Sequence, residues 1–153
     1  MRRTRITRRR GFTLIELLLV AGILAVLAAF AVPSLLGQAR KAQNKIAEAQ
    51  IGRNGPIARA LENYKFDMGK YPDTDEGLQV LFLPKDRVED PRYSGPYLEG
   101  SFEQLRDPWT NPYNYRAPGE FNETGFDLWS NGVDGKDDGG KEGSDDIKNW
   151  IER

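Results

Sequence analysis

An apolar run near the N-terminus limits what this 153-residue chain can become. No charged residue lies between Glu16 and Arg40, and the segment Leu17–Leu36 holds 20 residues that are nearly all apolar. At 1.5 Å per residue, a helix of that length measures about 30 Å, which matches the hydrocarbon core of a bilayer. A helix buried in a soluble core would be shorter and would show a polar face. The run therefore predicts a single membrane-spanning helix.

The charges on either side of this run indicate its orientation. Residues 1–11 contain six arginines and no acidic residue, whereas the rest of the chain holds 16 basic and 23 acidic side chains. A basic segment directly before an apolar one is typical of the cytoplasmic flank of a membrane helix. We therefore expect a cytoplasmic N-terminus, with the remainder of the chain on the other side of the membrane. A basic tail can also bind nucleic acid, but its position next to the apolar run predicts no nucleic-acid partner.

Three kinds of N-terminal signal compete at this end of the chain. A secretory signal peptide would use the small residues of Ala29–Ala31 as its cleavage site. A twin-arginine signal would use Arg9 and Arg10. The third interpretation is a type IV prepilin leader, because Arg10–Glu16 reads RGFTLIE and closely resembles the prepilin cleavage motif. We favour the third, since a signal peptide has no use for a lone glutamate at the start of its apolar segment.

The resemblance to prepilins assigns roles to particular residues. It implies that a prepilin peptidase cleaves between Gly11 and Phe12 and methylates the new amino terminus of Phe12. Glu16 is then the fifth residue of the mature chain, and Pro33 falls where pilin helices commonly kink. A carboxylate in lipid is costly and needs a partner. In pilin-like filaments that partner is the N-terminal amine of a neighbouring subunit, so Glu16 is predicted to act in assembly.

The chain is predicted to have four segments. They are a cleaved leader (1–11), a transmembrane helix that forms the filament core (12–36), an amphipathic helix (37–66) and a globular head (67–153). Proline inside a helix removes a hydrogen bond and costs about 3 kcal/mol. We therefore expect a kink or break near Asn54–Pro56.

The head is predicted to be a small α+β unit with a short antiparallel sheet against which the amphipathic helix packs. Strand signals occur at Tyr113–Arg116 and Phe126–Trp129. The chain has no cysteine and no histidine, which excludes a disulfide framework, thiol chemistry and histidine-based catalysis.

Motifs in the head narrow the resemblance to major pseudopilins of type II secretion systems, within the type IV pilin-like superfamily. Asp67–Pro72 and Glu76–Leu78 resemble their D-x-G-x-Y-P and E-G-L motifs, and Asp107–Tyr113 resembles their D-P-W-G-N-P-Y turn. Asp145–Trp150 resembles their C-terminal D-I-G-N-W motif. The similarity covers residues 10–153.

An acidic, glycine-rich stretch near the C-terminus predicts a calcium site. Calcium binds six to eight oxygens from carboxylates and carbonyls, and a bound cation would stabilise a small head that has no disulfide. The spacing does not fit an EF-hand, but it resembles the calcium site of major pseudopilins. That resemblance implies as ligands Asn131, Asp134, Lys136, Ser144, Asp145 and Asp146, and leaves Asp137, Asp138 and Glu142 solvated.

The resemblance implies a structural subunit of the type II secretion pseudopilus rather than an enzyme. Its expected partners are further copies of itself, prepilin peptidase, minor pseudopilins, an inner-membrane assembly platform and the lipid bilayer, with the head in the periplasm. One alternative is a type IV pilin or minor pilin for adhesion or motility. Another is an enzyme or binding module anchored by one helix, in which Asp145 and Asp146 would be the paired carboxylates. Adjacent residues do not hold the opposed geometry that such a pair needs.

Overall fold

The computed structural model describes residues 11–141 and 143–151, without the side chains at positions 33 and 34. The basic residues 1–10 of the predicted leader lie outside this range, as does Glu142, which was expected to be solvated. The chain divides between Arg40 and Lys41 into two compact units. In chain order the main elements are α1 (Leu14–Ile51), α2 (Pro56–Met68), β1 (Asn114–Arg116), β2 (Asp127–Ser130) and β3 (Ile147–Lys148). Three short 3₁₀ turns lie between α2 and β1, at Leu78–Phe82, Lys85–Arg87 and Phe102–Gln104.

The described part of the first unit is Gly11 to Arg40 and consists mainly of α1. Its large apolar side chains are exposed along the whole run, from Leu17 to Leu36. Among the described residues, one helical segment is long and apolar enough to cross a membrane, and its apolar part lies in α1. This agrees with the spanning helix that the sequence predicts. The helix continues on both sides of position 33, and the kink expected at Pro33 stays a prediction.

The predicted helix break lies between α1 and α2. α1 ends at Ile51, and α2 begins with Pro56 as its first residue, the position where a proline costs no helix hydrogen bond. The amide of Gly55 donates to the carbonyl of Gly52 over 2.7 Å. A Cβ at Gly55 would lie 2.6 Å from the carbonyl oxygen of Ala49, so this tight turn needs glycine. The amphipathic segment predicted over 37–66 is therefore divided between two helices at the expected break, and α2 extends to Met68.

The core of the second unit forms where α2 meets the residues around the sheet. The buried face of α2 carries Ile57, Leu61 and Tyr64. The same cluster contains Ile51 from the end of α1 and the fully buried Leu128 from β2. Burial of each such side chain contributes about 1.5–3 kcal/mol, which stabilises α2 directly after the glycine-containing turn at residues 52–55.

The sheet has three short antiparallel strands in the order β1-β2-β3. Asn114 pairs with Trp129 and Arg116 with Asp127, while Trp129 also faces Lys148 on β3. The first two strands were predicted to within one residue at each end. The third was not predicted, because a two-residue strand has too little alternation to be recognised.

A buried carboxylate organises the loop between β1 and β2. Asp127 is 0% exposed. One carboxylate oxygen accepts hydrogen bonds from the amides of Glu120 (2.6 Å) and Phe121 (3.0 Å), and the other accepts from the amide of Asn122 (2.9 Å). The guanidinium of Arg116, its register partner, lies 3.4 Å away. One side chain thus satisfies three consecutive backbone donors.

Asp127→Ala is expected to destabilise the head by roughly 3 kcal/mol or more, because it leaves three amides without their acceptor and removes one of the two carboxylates paired with the Arg116 guanidinium. Chemical denaturation of the purified chain in detergent, followed by tryptophan fluorescence, measures this change. Asp86→Ala is the control, since Asp86 is an exposed acidic residue and surface changes stay within about 0.5 kcal/mol. Equal stability of the two variants would contradict the role assigned to Asp127.

Candidate functional site: the N-terminal cap and the acidic loop

The predicted cleavage site lies just before α1 and is open to solvent. Gly11 is exposed, and Phe12 is 86% exposed. A Cβ added at Gly11 would meet no atom within 4 Å. Nothing in the described chain therefore requires glycine at this position, and a requirement for it has to come from an enzyme that reads the site.

Glu16 belongs to a capping box at the start of α1. Its Oε2 accepts hydrogen bonds from the amide (2.8 Å) and the hydroxyl (2.9 Å) of Thr13. The amide of Glu16 in turn donates to the Thr13 hydroxyl over 3.3 Å. This reciprocal pairing satisfies orphan donors of the first turn. Thr13 is absent from the predicted site residues, although the Thr-x-x-Glu spacing is the sequence signal for such a cap.

The acidic loop, residues 131–146, connects β2 to β3. Gly132, Gly135, Gly139, Gly140 and Gly143 all have positive φ angles, a conformation that glycine adopts without strain. A Cβ at Gly132 would overlap the carbonyl oxygen of Asp145. The two ends of the loop therefore pass close to each other, and the chain can turn its oxygens toward a common point.

Three carboxylates of the loop come together. Oxygen atoms of Asp134, Asp138 and Asp145 all lie within 4.8 Å of one another. A carboxylate oxygen of Asp145 also accepts the amide of Asp134 over 3.0 Å, and Asp134 accepts the amide of Lys136 over 2.8 Å. Asp134 and Asp145 were predicted ligands. Asp138 was expected to be solvated; it is exposed, yet its carboxylate belongs to this cluster.

Asp146 differs from the other predicted ligands because it is buried, with 8% exposure. Its Oδ2 accepts the amide of Gly140 over 2.8 Å, whereas the buried Oδ1 has no hydrogen-bond partner among the described residues. Burial raises the pKa of the Asp146 carboxyl, and the negative charges of Asp137 and Asp138 raise it further. A nearby cation would stabilise the charged form of this carboxylate.

The remaining predicted ligands hold the loop together through other contacts. The side chain of Asn131 accepts from the amide group of Asn114 and donates to the carbonyl of Gly135 over 3.3 Å. The hydroxyl of Ser144 donates to the carbonyl of Lys141 over 2.7 Å. The Nζ atom of Lys136 lies 3.5 Å from Asp134. These contacts use side-chain atoms of the three residues, and their predicted role as ligands stays a prediction.

Asp137, also expected to be solvated, contacts the sheet. Its Oδ1 accepts the indole N–H of Trp129 over 3.0 Å and the amide of Gly139 over 2.9 Å. A sequence pattern does not reveal this bond, because the two residues meet only once the loop has folded over β2.

The donor set of the acidic loop suits a hard cation. Carboxylates and backbone carbonyls are the ligands that calcium takes. A buried carboxylate oxygen without a partner among the described residues, in the same loop as three clustered carboxylates, is costly unless a cation is bound. A site of this composition does not favour zinc or copper, which bind histidine or cysteine.

Two family models match the chain in adjoining stretches. Residues 6–32 match the prokaryotic N-terminal methylation motif. Residues 34–150 match type II secretion system (T2SS) protein G.

The chain belongs to the type II secretion system protein G family. As a member of that family, it is a pseudopilin, a structural subunit of the type II secretion pseudopilus, and its function is structural. This confirms the resemblance drawn from the N-terminal and head motifs.

Curated relatives support the assignment over nearly the whole chain. Type II secretion system core protein G of Pseudomonas aeruginosa is 40% identical over 144 residues, covering 94% of this chain and 96% of the relative. The protein of the same name from Vibrio cholerae is 39% identical, covering 94% and 92%.

Similarity to a solved structure supports the fold of this chain. The major pseudopilin from the type 2 secretion system of enterohaemorrhagic Escherichia coli aligns with a TM-score of 0.59 and 29% identity, covering 76% of this chain and 89% of that one. The prediction of an α+β, pilin-like fold with a long N-terminal helix is confirmed.

Proposed function

We propose that this pseudopilin is made as a single-pass inner-membrane precursor with its N-terminus in the cytoplasm and its head in the periplasm. Prepilin peptidase cleaves it after Gly11 and methylates Phe12. The observation that carries this proposal is the match of residues 6–32 to the methylation motif, a stretch that includes the start of an exposed apolar helix. The exposed peptide bond at Gly11–Phe12 supports access by a peptidase, and the arginines before it favour a cytoplasmic leader.

The mature subunits leave the bilayer and join a periplasmic filament through their N-terminal helices. The apolar side chains of α1 that are exposed in the single chain are then covered by neighbouring copies. A contact between unlike surfaces of identical subunits does not close on itself and therefore produces a fibre. Growth of the fibre from an inner-membrane assembly platform, together with minor pseudopilins, helps to drive folded proteins across the outer membrane. A separate cytoplasmic ATPase supplies the energy.

Mass spectrometry of the mature N-terminus, combined with filament isolation, tests this proposal. Sheared or overexpressed filaments should contain this chain beginning with N-methylated Phe12. A chain that begins at Val32 would indicate cleavage by signal peptidase and would overturn the pilin-type route. If the mature chain is found only as a monomer, the proposal that it forms a filament is wrong.

We also propose that the acidic loop binds calcium. Asp134, Asp138 and Asp145 would supply charge at the loop surface, and Asp146 would offer its buried, unpartnered carboxylate oxygen. Asn131, Lys136 and Ser144 would contribute oxygens from the backbone or side chain. The bound ion neutralises clustered carboxylates and links the two ends of a loop that no disulfide closes.

Calcium is expected to raise the melting temperature of the full chain in detergent. Binding to the folded state alone stabilises it by about 2.7 kcal/mol at a hundredfold excess over Kd, which is on the order of 10 °C for a head of this size. Differential scanning fluorimetry in calcium and in chelator measures the shift. Magnesium should substitute poorly, because it demands a stricter geometry.

Substitutions in the acidic loop test which residues are needed for the rise in melting temperature with calcium. Asp134→Ala, Asp138→Ala and Asp146→Ala should each remove most of the shift, whereas Asp86→Ala, far from the loop in sequence, should keep it. The same melting temperature for the wild type in calcium and in chelator would refute the site. A full shift in Asp134→Ala would refute its ligand set.

A further inference from the structure

The side chain of Asp137 attaches the middle of the acidic loop to β2. Asp137 accepts the indole N–H of Trp129 and the amide of Gly139 on the same oxygen, at 3.0 and 2.9 Å. Trp129 itself is well fixed. It is 9% exposed, its ring packs edge-on against Trp150 at 5.8 Å, and the guanidinium of Arg116 lies over it at 5.7 Å. Asp137 therefore connects a glycine-rich loop to one of the more rigid side chains of the head.

This attachment lies next to the carboxylate cluster in the chain. Asp138 follows Asp137 directly, and Asp134 precedes it by three residues. Glycines at 135 and 139 flank the pair, both with positive φ, and flexible residues of this kind lose the most entropy when a loop is ordered. Fixing Asp137 on Trp129 limits where Asp138 can place its carboxylate.

We propose that Asp137 is a positioning residue that preorganises the acidic loop for its cation by accepting the Trp129 indole N–H. The inference rests on the proposed calcium site and adds to it a residue that does not touch the ion. A loop held in its bound conformation pays less entropy on binding. The role requires an acceptor oxygen at position 137, and it does not require a negative charge there.

The chain offers a matched pair of variants that separates these two properties. Asp137→Asn keeps an acceptor oxygen for the indole and the Gly139 amide but loses the charge. Asp137→Ala loses both. Trp129→Phe removes the donor from the other side while keeping an aromatic ring in the same place.

Isothermal titration with calcium chloride, on the full chain in detergent micelles, measures the Kd of each variant. Loss of one hydrogen bond to a charged group corresponds to roughly a tenfold change in Kd. Asp137→Ala and Trp129→Phe should each weaken binding by about that factor, and the double variant should be no weaker than either. Asp137→Asn should bind calcium clearly more tightly than Asp137→Ala, because it keeps both hydrogen bonds and loses only a charge that acts on Asp146 at a distance. The indole N–H resonance of Trp129 should move in Asp137→Ala and stay near its place in Asp137→Asn.

The possible outcomes are distinct. Wild type that does not bind calcium overturns the calcium site and this inference with it. Wild type that binds, with Asp137→Ala equally tight, overturns this inference alone. Asp137→Asn as weak as Asp137→Ala would mean that the charge matters and would also overturn it. Melting in chelator checks folding: a fall there equal to the fall in calcium would show a purely structural role, and if Asp137→Ala fails to fold, Trp129→Phe decides the question.

Discussion

Replacing Gly11 by valine is expected to leave the precursor uncleaved in the membrane. A prepilin peptidase needs a small residue beside the bond that it cuts, and a branched side chain at this position blocks the approach. Because a Cβ at Gly11 meets no atom of the described chain, the substitution does not disturb the protein itself. Immunoblotting of membranes, with the mass of the N-terminus, should show almost no mature chain.

Gly11→Ala is the matched control for this variant. It adds one methyl group and should still be cleaved in large part. Normal processing of Gly11→Val would contradict the assignment of residues 1–11 as a cleaved leader. If neither variant is cleaved, glycine is needed for its backbone conformation rather than for its size.

Glu16→Val is expected to be inserted and cleaved normally but to yield filaments only at background level. If the carboxylate pairs with the amine of a neighbour's Phe12, the variant loses a buried ion pair at every contact. Breaking such a pair by removing one partner costs about 3–5 kcal/mol. Quantifying this chain in sheared filaments, relative to mature chain in the membrane, measures the loss.

Glu16→Gln separates the two roles that Glu16 can have. The structure pairs its Oε2 with the amide and hydroxyl of Thr13, and glutamine can accept both hydrogen bonds. Glutamine has no charge, however, and cannot form the ion pair. Filament yield that stays low in Glu16→Gln supports pairing with the amine. Wild-type yield in that variant would show that helix capping is sufficient, and wild-type yield in Glu16→Val would reject both roles.

The sequence predicted those parts of the fold that depend on local chemistry. Gly55 and Pro56 indicate a helix break wherever they occur in a helical segment, because one lacks a side chain and the other lacks an amide hydrogen. The apolar run before Arg40 predicts a membrane helix by its length alone. β3 was not predicted from the sequence. Its two residues form a strand only because they pair with Trp129 and Ser130 of β2.

The residues of the candidate site also include some that the sequence predicts and some that it does not. Asp134 and Asp145 were found because acidic residues in a glycine-rich loop suggest a cation. The positions of Asp137 and Asp138 depend on how the loop folds back over Trp129, and no spacing in the sequence reports that. Thr13 could have been found, since its contact with Glu16 lies within one helical turn.

The carboxylate of Asp127 makes a surface loop part of the cooperative unit of the sheet. Loops with residues such as Pro118, Gly119 and Gly125 commonly open on their own, at little free-energy cost. Here the amides of residues 120–122 donate hydrogen bonds to the buried side chain of Asp127 at the start of β2. Breaking these hydrogen bonds exposes the carboxylate and disrupts the pairing of β1 with β2. The hydrogen exchange of these amides is therefore tied to global unfolding, and this exposed turn should be as slow to exchange as the strands that it connects.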